Sequence, residues 1–151
     1  MSPLHYLILV MFMTAGAAVA QAISTLGHRR GLRRLAGRWQ MHFAAADRLR
    51  LADRIAEKLP VLGAANVCVM DLLFCTVEDT HQYLFTVEYG VGVVRGKHRR
   101  YRVAGFAEPV RRGAPAADFS LTVAPQELPL AAAYQYVRDA LNRPGAPPRP
   151  V

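Results

Sequence analysis

The chain has 151 residues, 52% of them hydrophobic and 20% charged, which excludes a disordered chain and leaves room for one modest domain. Its net charge of +8 is concentrated: Arg29, Arg30, Arg33, Arg34 and Arg38 fall within residues 28–38 with no acid among them. The remaining fourteen bases against eleven acids give only +3, which argues against nucleic-acid binding by the rest of the chain.

The first element is LHYLILVMFMTAGAAVAQAISTL, Leu4 to Leu26, which is 23 residues without a formal charge. A spanning helix needs roughly 20. Ser2 is a suitable N-cap and Pro3 a suitable first helical residue, while Gly27 is expected to stop the helix. Ala15, Gly16, Ala17, Ala18, Ala20 and Ala22 make a small-residue run that lets a second membrane helix approach closely. The rival reading is a secretory signal with Ala18-Val19-Ala20 as its cleavage motif, giving a secreted or periplasmic domain. Against it, no Lys or Arg precedes the apolar run, and the arginine cluster follows it directly. Such clusters stay on the cytoplasmic side, so the expected topology is N-terminus outside and C-terminal domain inside. Only Lys58 and Lys97 are lysines, and this Arg bias with abundant Ala points to a GC-rich bacterial genome, so the expected membrane is a bacterial inner membrane.

Residues 28–46 form a basic juxtamembrane segment. On a helix, Leu32, Leu35, Ala36, Trp39 and Phe43 share one side, and Arg30, Arg34 and Arg38 lie opposite, with Arg29 and Arg33 flanking. That is the layout of an amphipathic helix in the headgroup region, with the five arginines and Trp39 as anionic-lipid contacts. Gly31 and Gly37 weaken a helix here. The alternative packs Leu35, Trp39 and Phe43 on the domain and leaves the arginines to mark topology.

The domain, residues 47–142, is expected to be α+β. A helix starts at Asp47 and ends at Pro60, with Leu51, Ala52, Ile55, Ala56 and Leu59 as its stripe. Strands follow at Asn66–Val77, Gln82–Val94 and Arg99–Ala107, and a short fourth at Phe119–Val123. Glu78 to His81 makes the first turn, and Gly96-Lys97-His98 the second. That second turn would pair Val93 with Tyr101 and Val91 with Val103. A last helix runs from about Pro129 to Leu141, with the stripe Leu130, Tyr134, Val137 and Leu141. Both helices should cover one apolar face of a three-stranded meander with its added short strand. Thr86, Glu88, Arg100 and Arg102 should then face water or a partner. Residues 143–151 are a Pro-rich tail.

No zinc-protease, nucleophile-elbow, Walker or C-x-x-C motif occurs. Gly90, Gly92 and Gly96 miss the dinucleotide spacing and fall within a hairpin rather than at a strand-to-helix turn. His5, His28, His42, His81 and His98 are not at ligand spacing. Cys68 and Cys75 are seven apart on one strand, so they should point to opposite faces as free thiols, which fits a reducing compartment. Asp71 facing Glu88 is one arrangement of the acids, and a Glu88–Arg102 salt link is the commoner one. Arg95, Lys97, Arg99, Arg100 and Arg102 make a basic hairpin end able to meet phosphates, headgroups or an acidic protein. The expectation is a non-enzymatic accessory or assembly subunit of a membrane complex, bound to the membrane and to another membrane protein, with no cofactor, metal or small-molecule substrate. The alternative is an anionic-lipid-binding or sensor module.

Overall fold

The structure, a computed structural model, describes residues 3–61, 63–91, 99–110 and 119–143, the side chains of 21–25 excepted. Helix α1 spans Pro3–Arg38 and is followed by β1, His42–Ala46, and a short α2, Leu51–Ile55. Strands β2 (Ala64–Val77), β3 (Thr80–Val91), β4 (Arg99–Pro109) and β5 (Thr122–Val123) come next, and α3, Leu130–Leu141, closes the order. The five strands form one antiparallel sheet in chain order. The α+β class holds, with β1 as a fifth strand that residues 28–46 were not expected to supply.

Gly27 does not stop α1. The helix runs through it to Arg38, because Leu32 and Ala36 in its last turns are buried against the sheet. Packing of an apolar stripe outweighs the roughly 1 kcal/mol that each internal glycine costs. The stop is Gln40, in the left-handed region at φ 55. The Met41 N–H reaches the Ala36 carbonyl at 2.9 Å, the Gln40 N–H reaches that of Gly37 at 3.3 Å, and Met41 and Ala36 are buried in one cluster. This is a Schellman closure with Gln where Gly is usual.

The expected helix from Asp47 is shorter than its pattern. Asp47 caps from a distance: its Oδ1 accepts the Leu51 N–H at 2.9 Å and its Oδ2 that of Ala52 at 2.8 Å. Beyond Ile55 the chain makes looser turns, with the Leu59 N–H on the Ile55 carbonyl, so Leu51, Ile55 and Leu59 still bury together.

The helices lie on opposite faces of the sheet, which corrects the expectation of a single covered face. Leu51, Ile55 and Leu59 pack with Tyr83, Phe85, Val87, Tyr89, Ala104 and Phe106. Tyr134 and Val137 of α3, joined by Leu32 and Ala36 of α1, pack with Leu73, Leu84 and Val103 on the other side. Register explains the error. Tyr101 lies opposite Glu88 and Val103 opposite Thr86, an odd five-residue offset from the expected pairing, and odd offsets exchange faces. The expected turn Gly96-Lys97-His98 lies outside the described residues, between the end of β3 at Val91 and the start of β4 at Arg99. At the other end of β3 the turn is two residues, Glu78 and Asp79, both at positive φ, with Val77 opposite Thr80.

Strand β2 carries two irregularities, between Ala65 and Cys68 and between Met70 and Leu73. Each contains a residue at positive φ, Asn66 (53°) and Asp71 (50°), side chains that tolerate the left-handed region. The second bulge shifts the pairing by one. Cys68 opposite Glu88 and Cys75 opposite Gln82 therefore share the α3 face instead of pointing apart. Both are free thiols.

Candidate functional site

The residues flagged in the sequence gather where α1 joins the domain. From His28 onward the apolar positions 32, 35, 36 and 39 recur at helical spacing, so one side of α1 seats on the sheet. Arg29, Arg30, Arg33, Arg34 and Arg38 are all exposed on its remaining surface. The Arg33 guanidinium lies 5.5 Å from the Phe43 ring centre. Trp39 is half-buried, with the Arg138 guanidinium of α3 4.7 Å from its ring, so it packs on the domain at the far end of the basic stretch.

Asp71 holds the near end. Its Oδ2 is 3.6 Å from His28 Nε2 and its Oδ1 is 3.8 Å from Arg29 Nε, at distances that give attraction without a hydrogen bond. Oδ1 is buried and has no hydrogen-bond partner. The Asp71 carbonyl, released from the ladder by the bulge, accepts the Tyr134 hydroxyl at 2.7 Å. A phenol has one proton, so the Thr86 hydroxyl at 3.0 Å donates to Tyr134 in turn. Burial pushes the Tyr134 phenol well above its ordinary value, with the Thr86 hydrogen bond opposing and the Asp71 charge adding to the rise. The sequence offered Asp71 as half of an acid pair. Its place as a clasp between bulge and helix was hidden, since a bulge leaves no signal in an apolar run.

The path of α1 follows from these contacts. His28 and Arg29 stand level with Asp71, while α1 ends at Arg38, just before β1 starts at His42, opposite Phe74. Thus α1 runs alongside β2 in the same direction. Its apolar part leaves the domain at the end of the sheet marked by Ala64, Val91 and Arg99. The stretch Pro3–Ala20 is long and apolar enough to cross a membrane and is wholly unburied by the rest of the molecule.

No protein-family model, no curated protein and no solved structure matches this chain.

The second basic group lies at that same end of the sheet. Arg99 Nη1 is 2.8 Å from Glu88 Oε1, which replaces the expected Glu88–Arg102 link, and Cys68 rather than Asp71 is the residue opposite Glu88. Arg100 is exposed. Arg102 donates from Nη2 to Gln126 at 3.4 Å, and its Nε is buried without a hydrogen-bond partner. Arg95 and Lys97 lie outside the described residues. A depression of about 90 Å³ near Arg102 is lined by Thr86, Tyr101, Val103, Gln126 and Leu128. It is small beside the roughly 300 Å³ or more of ligand pockets. Among the described residues no three of His, Cys, Asp and Glu converge on a metal-binding position.

On the opposite face Arg54 grips Glu108 at 2.6 and 3.3 Å. The hydrogen bonds from Arg54 hold Glu108 below the usual carboxylate range, and Tyr83 adds another. Tyr83 is itself pushed up to about 12 by burial and by the Glu108 charge. This cluster seals α2 onto Phe106 and Phe119, whose rings stack at 4.0 Å, and it reads as architecture.

Proposed function

We propose that the chain is a single-pass protein of the bacterial inner membrane, with α1 crossing the bilayer and the domain held at the cytoplasmic surface. Its role is that of a non-enzymatic accessory or assembly subunit that meets another membrane protein through the small-residue face of α1 or through the domain. The observation that carries this reading is the continuity of α1. One unbroken helix has an apolar first half with no protein around it and a last third that seats Leu32 and Ala36 in the domain core. An exposed apolar surface of that size requires another apolar environment. Arg29, Arg30, Arg33 and Arg34 follow the apolar stretch directly, within the window where Lys/Arg bias orients a span. Arg38 and Trp39 sit about 18 Å along the axis from Leu26, at 1.5 Å per residue, and belong more to the domain than to the headgroups.

A membrane-retained α1 resists carbonate extraction, and a reporter fused after Val151 reads out as cytoplasmic. Replacing the five arginines weakens or inverts that readout. A mature chain starting at Gln21, or a C-terminus cut by protease added to intact spheroplasts, overturns the anchor or its orientation respectively. Purification in mild detergent tests the subunit role: a stoichiometric membrane protein is expected, and retention of lipid alone removes that role.

A further inference from the structure

The β2–β3–β4 sheet continues past Asp71 toward the end where α1 departs. Its α2 face there is covered, Val69, Val87 and Tyr89 being buried. Among the described residues its other face is largely open, with Glu88 partly covered. Two rows cross it, Cys68–Glu88–Tyr101 and Ala65–Gly90–Arg99. Cys68 and Arg99 are exposed, Tyr101 is 53% exposed, and the Arg99–Glu88 ion pair lies across the two rows.

We propose that this open face rests on lipid headgroups beside α1; the inference builds on the reading of α1 as a membrane span. The bilayer surrounds the span on every side. From Met70 back to Ala64 the strand extends about 20 Å, at ~3.3 Å per residue. From Arg29 back to Leu26 the helix extends only about 5 Å, at 1.5 Å per residue. A strand continuing parallel to α1 would thus carry open sheet edges into hydrocarbon, where unpaired backbone groups are not tolerated. On this reading the arm diverges from α1 beneath the headgroups, and the two register shifts of β2 are where a strand can bend. Because α1 and the open patch are on the same face, divergence turns that patch toward the leaflet. Its chemistry fits: Tyr101 offers an apolar ring with a polar tip, small residues keep the surface flat, and Arg99 with the nearby α1 arginines meets phosphate.

Cys68 is a native reporter. In the Cys75→Ser full chain, reconstituted into nanodiscs of phosphatidylcholine and phosphatidylglycerol, a nitroxide on Cys68 should relax several-fold faster with headgroup-chelated nickel than a nitroxide at Glu78→Cys. The latter site is the turn at the opposite end of the sheet and is placed in a chain lacking both native cysteines. Equal relaxation at the two sites, or a Cys68 label that responds mainly to water-soluble nickel, overturns the inference. A third label at Met11→Cys separates the two readings. If it is in contact with membrane-dissolved oxygen while Cys68 stays wet, only the headgroup contact fails. If Met11 is itself wet, the span fails and the contact with it.

Discussion

Tyr134 carries more of the fold than its size suggests. Its hydroxyl satisfies the carbonyl that the Asp71 bulge removes from the β2 ladder, and it accepts from Thr86, all in a buried setting. Tyr134→Phe keeps the ring and strands that carbonyl, so we expect a loss of about 1–3 kcal/mol in denaturant unfolding. A loss near zero would mean that another donor reaches Asp71. Glu108 makes a pH-dependent contribution of known sign. Arg54 lowers its folded-state pKa below the ordinary 4.5. The stabilisation is therefore fully present above that value and lost as pH falls through the depressed one. Glu108→Gln should be less stable than the parent at neutral pH and converge with it in acid, read as thermal midpoints across a pH series. A gap that stays constant into acid would remove the ionised carboxylate as its source.

Among the elements, the end of α1 and the seat of α3 give the sharpest tests. Gln40 sits where glycine is free of Cβ strain, so Gln40→Gly should raise stability by roughly 1 kcal/mol. Destabilisation would show that the Gln40 side chain holds the turn. Gly105 permits close approach of α3: a Cβ there would meet the Tyr83 carbonyl oxygen at 2.6 Å and Val137 Cγ1 at 2.7 Å. Gly105→Ala should cost about 1–3 kcal/mol by overpacking, and an unchanged midpoint would mean that α3 shifts freely. These elements also mark how far the sequence could be read. The apolar first helix, the alternation Tyr83, Phe85, Val87, Tyr89 and the stripe ending at Leu141 were legible because each has a clean period. The placement of the helices was not, because both faces of β3 and β4 are buried and alternation then cannot choose between them. Strand β1 was missed because Phe43 fits a helical stripe as well as a strand. The bulges at Asn66 and Asp71 were missed because they leave the composition of β2 unchanged. Of the candidate site, the arginines were visible as a run of charge; the place of Asp71 beside Arg29 was not, since it depends on the bulge.

At the scale of the molecule, α1 stands outside the domain along its apolar first half and enters the core near its end. Leu32 and Ala36 complete the α3-side core, so the domain should not survive removal of the helix that precedes it. A chain starting at residue 28 should fold cooperatively, whereas one starting at residue 40 should expose Leu73, Leu84 and Val103 and lose near-UV dichroism. Cooperative folding of the shorter chain would show that α1 is an appendage and not part of the core.

Helix α1 passes through Gly27 and Gly31 without a break, and it has mechanical meaning if its apolar half lies in a bilayer. A span changes its tilt when the membrane thickens or thins. With a swivel at the surface, that tilt would be lost in the joint. Here the last turns of the same rod are clamped by Leu32, Ala36 and the Asp71 clasp. A tilt change of about 10° would swing a point ~30 Å from the pivot by about 5 Å, more than one strand spacing. With α1 in a bilayer, the domain would be geared to it as a pointer to its axle, and the surface turned outward would vary with bilayer thickness.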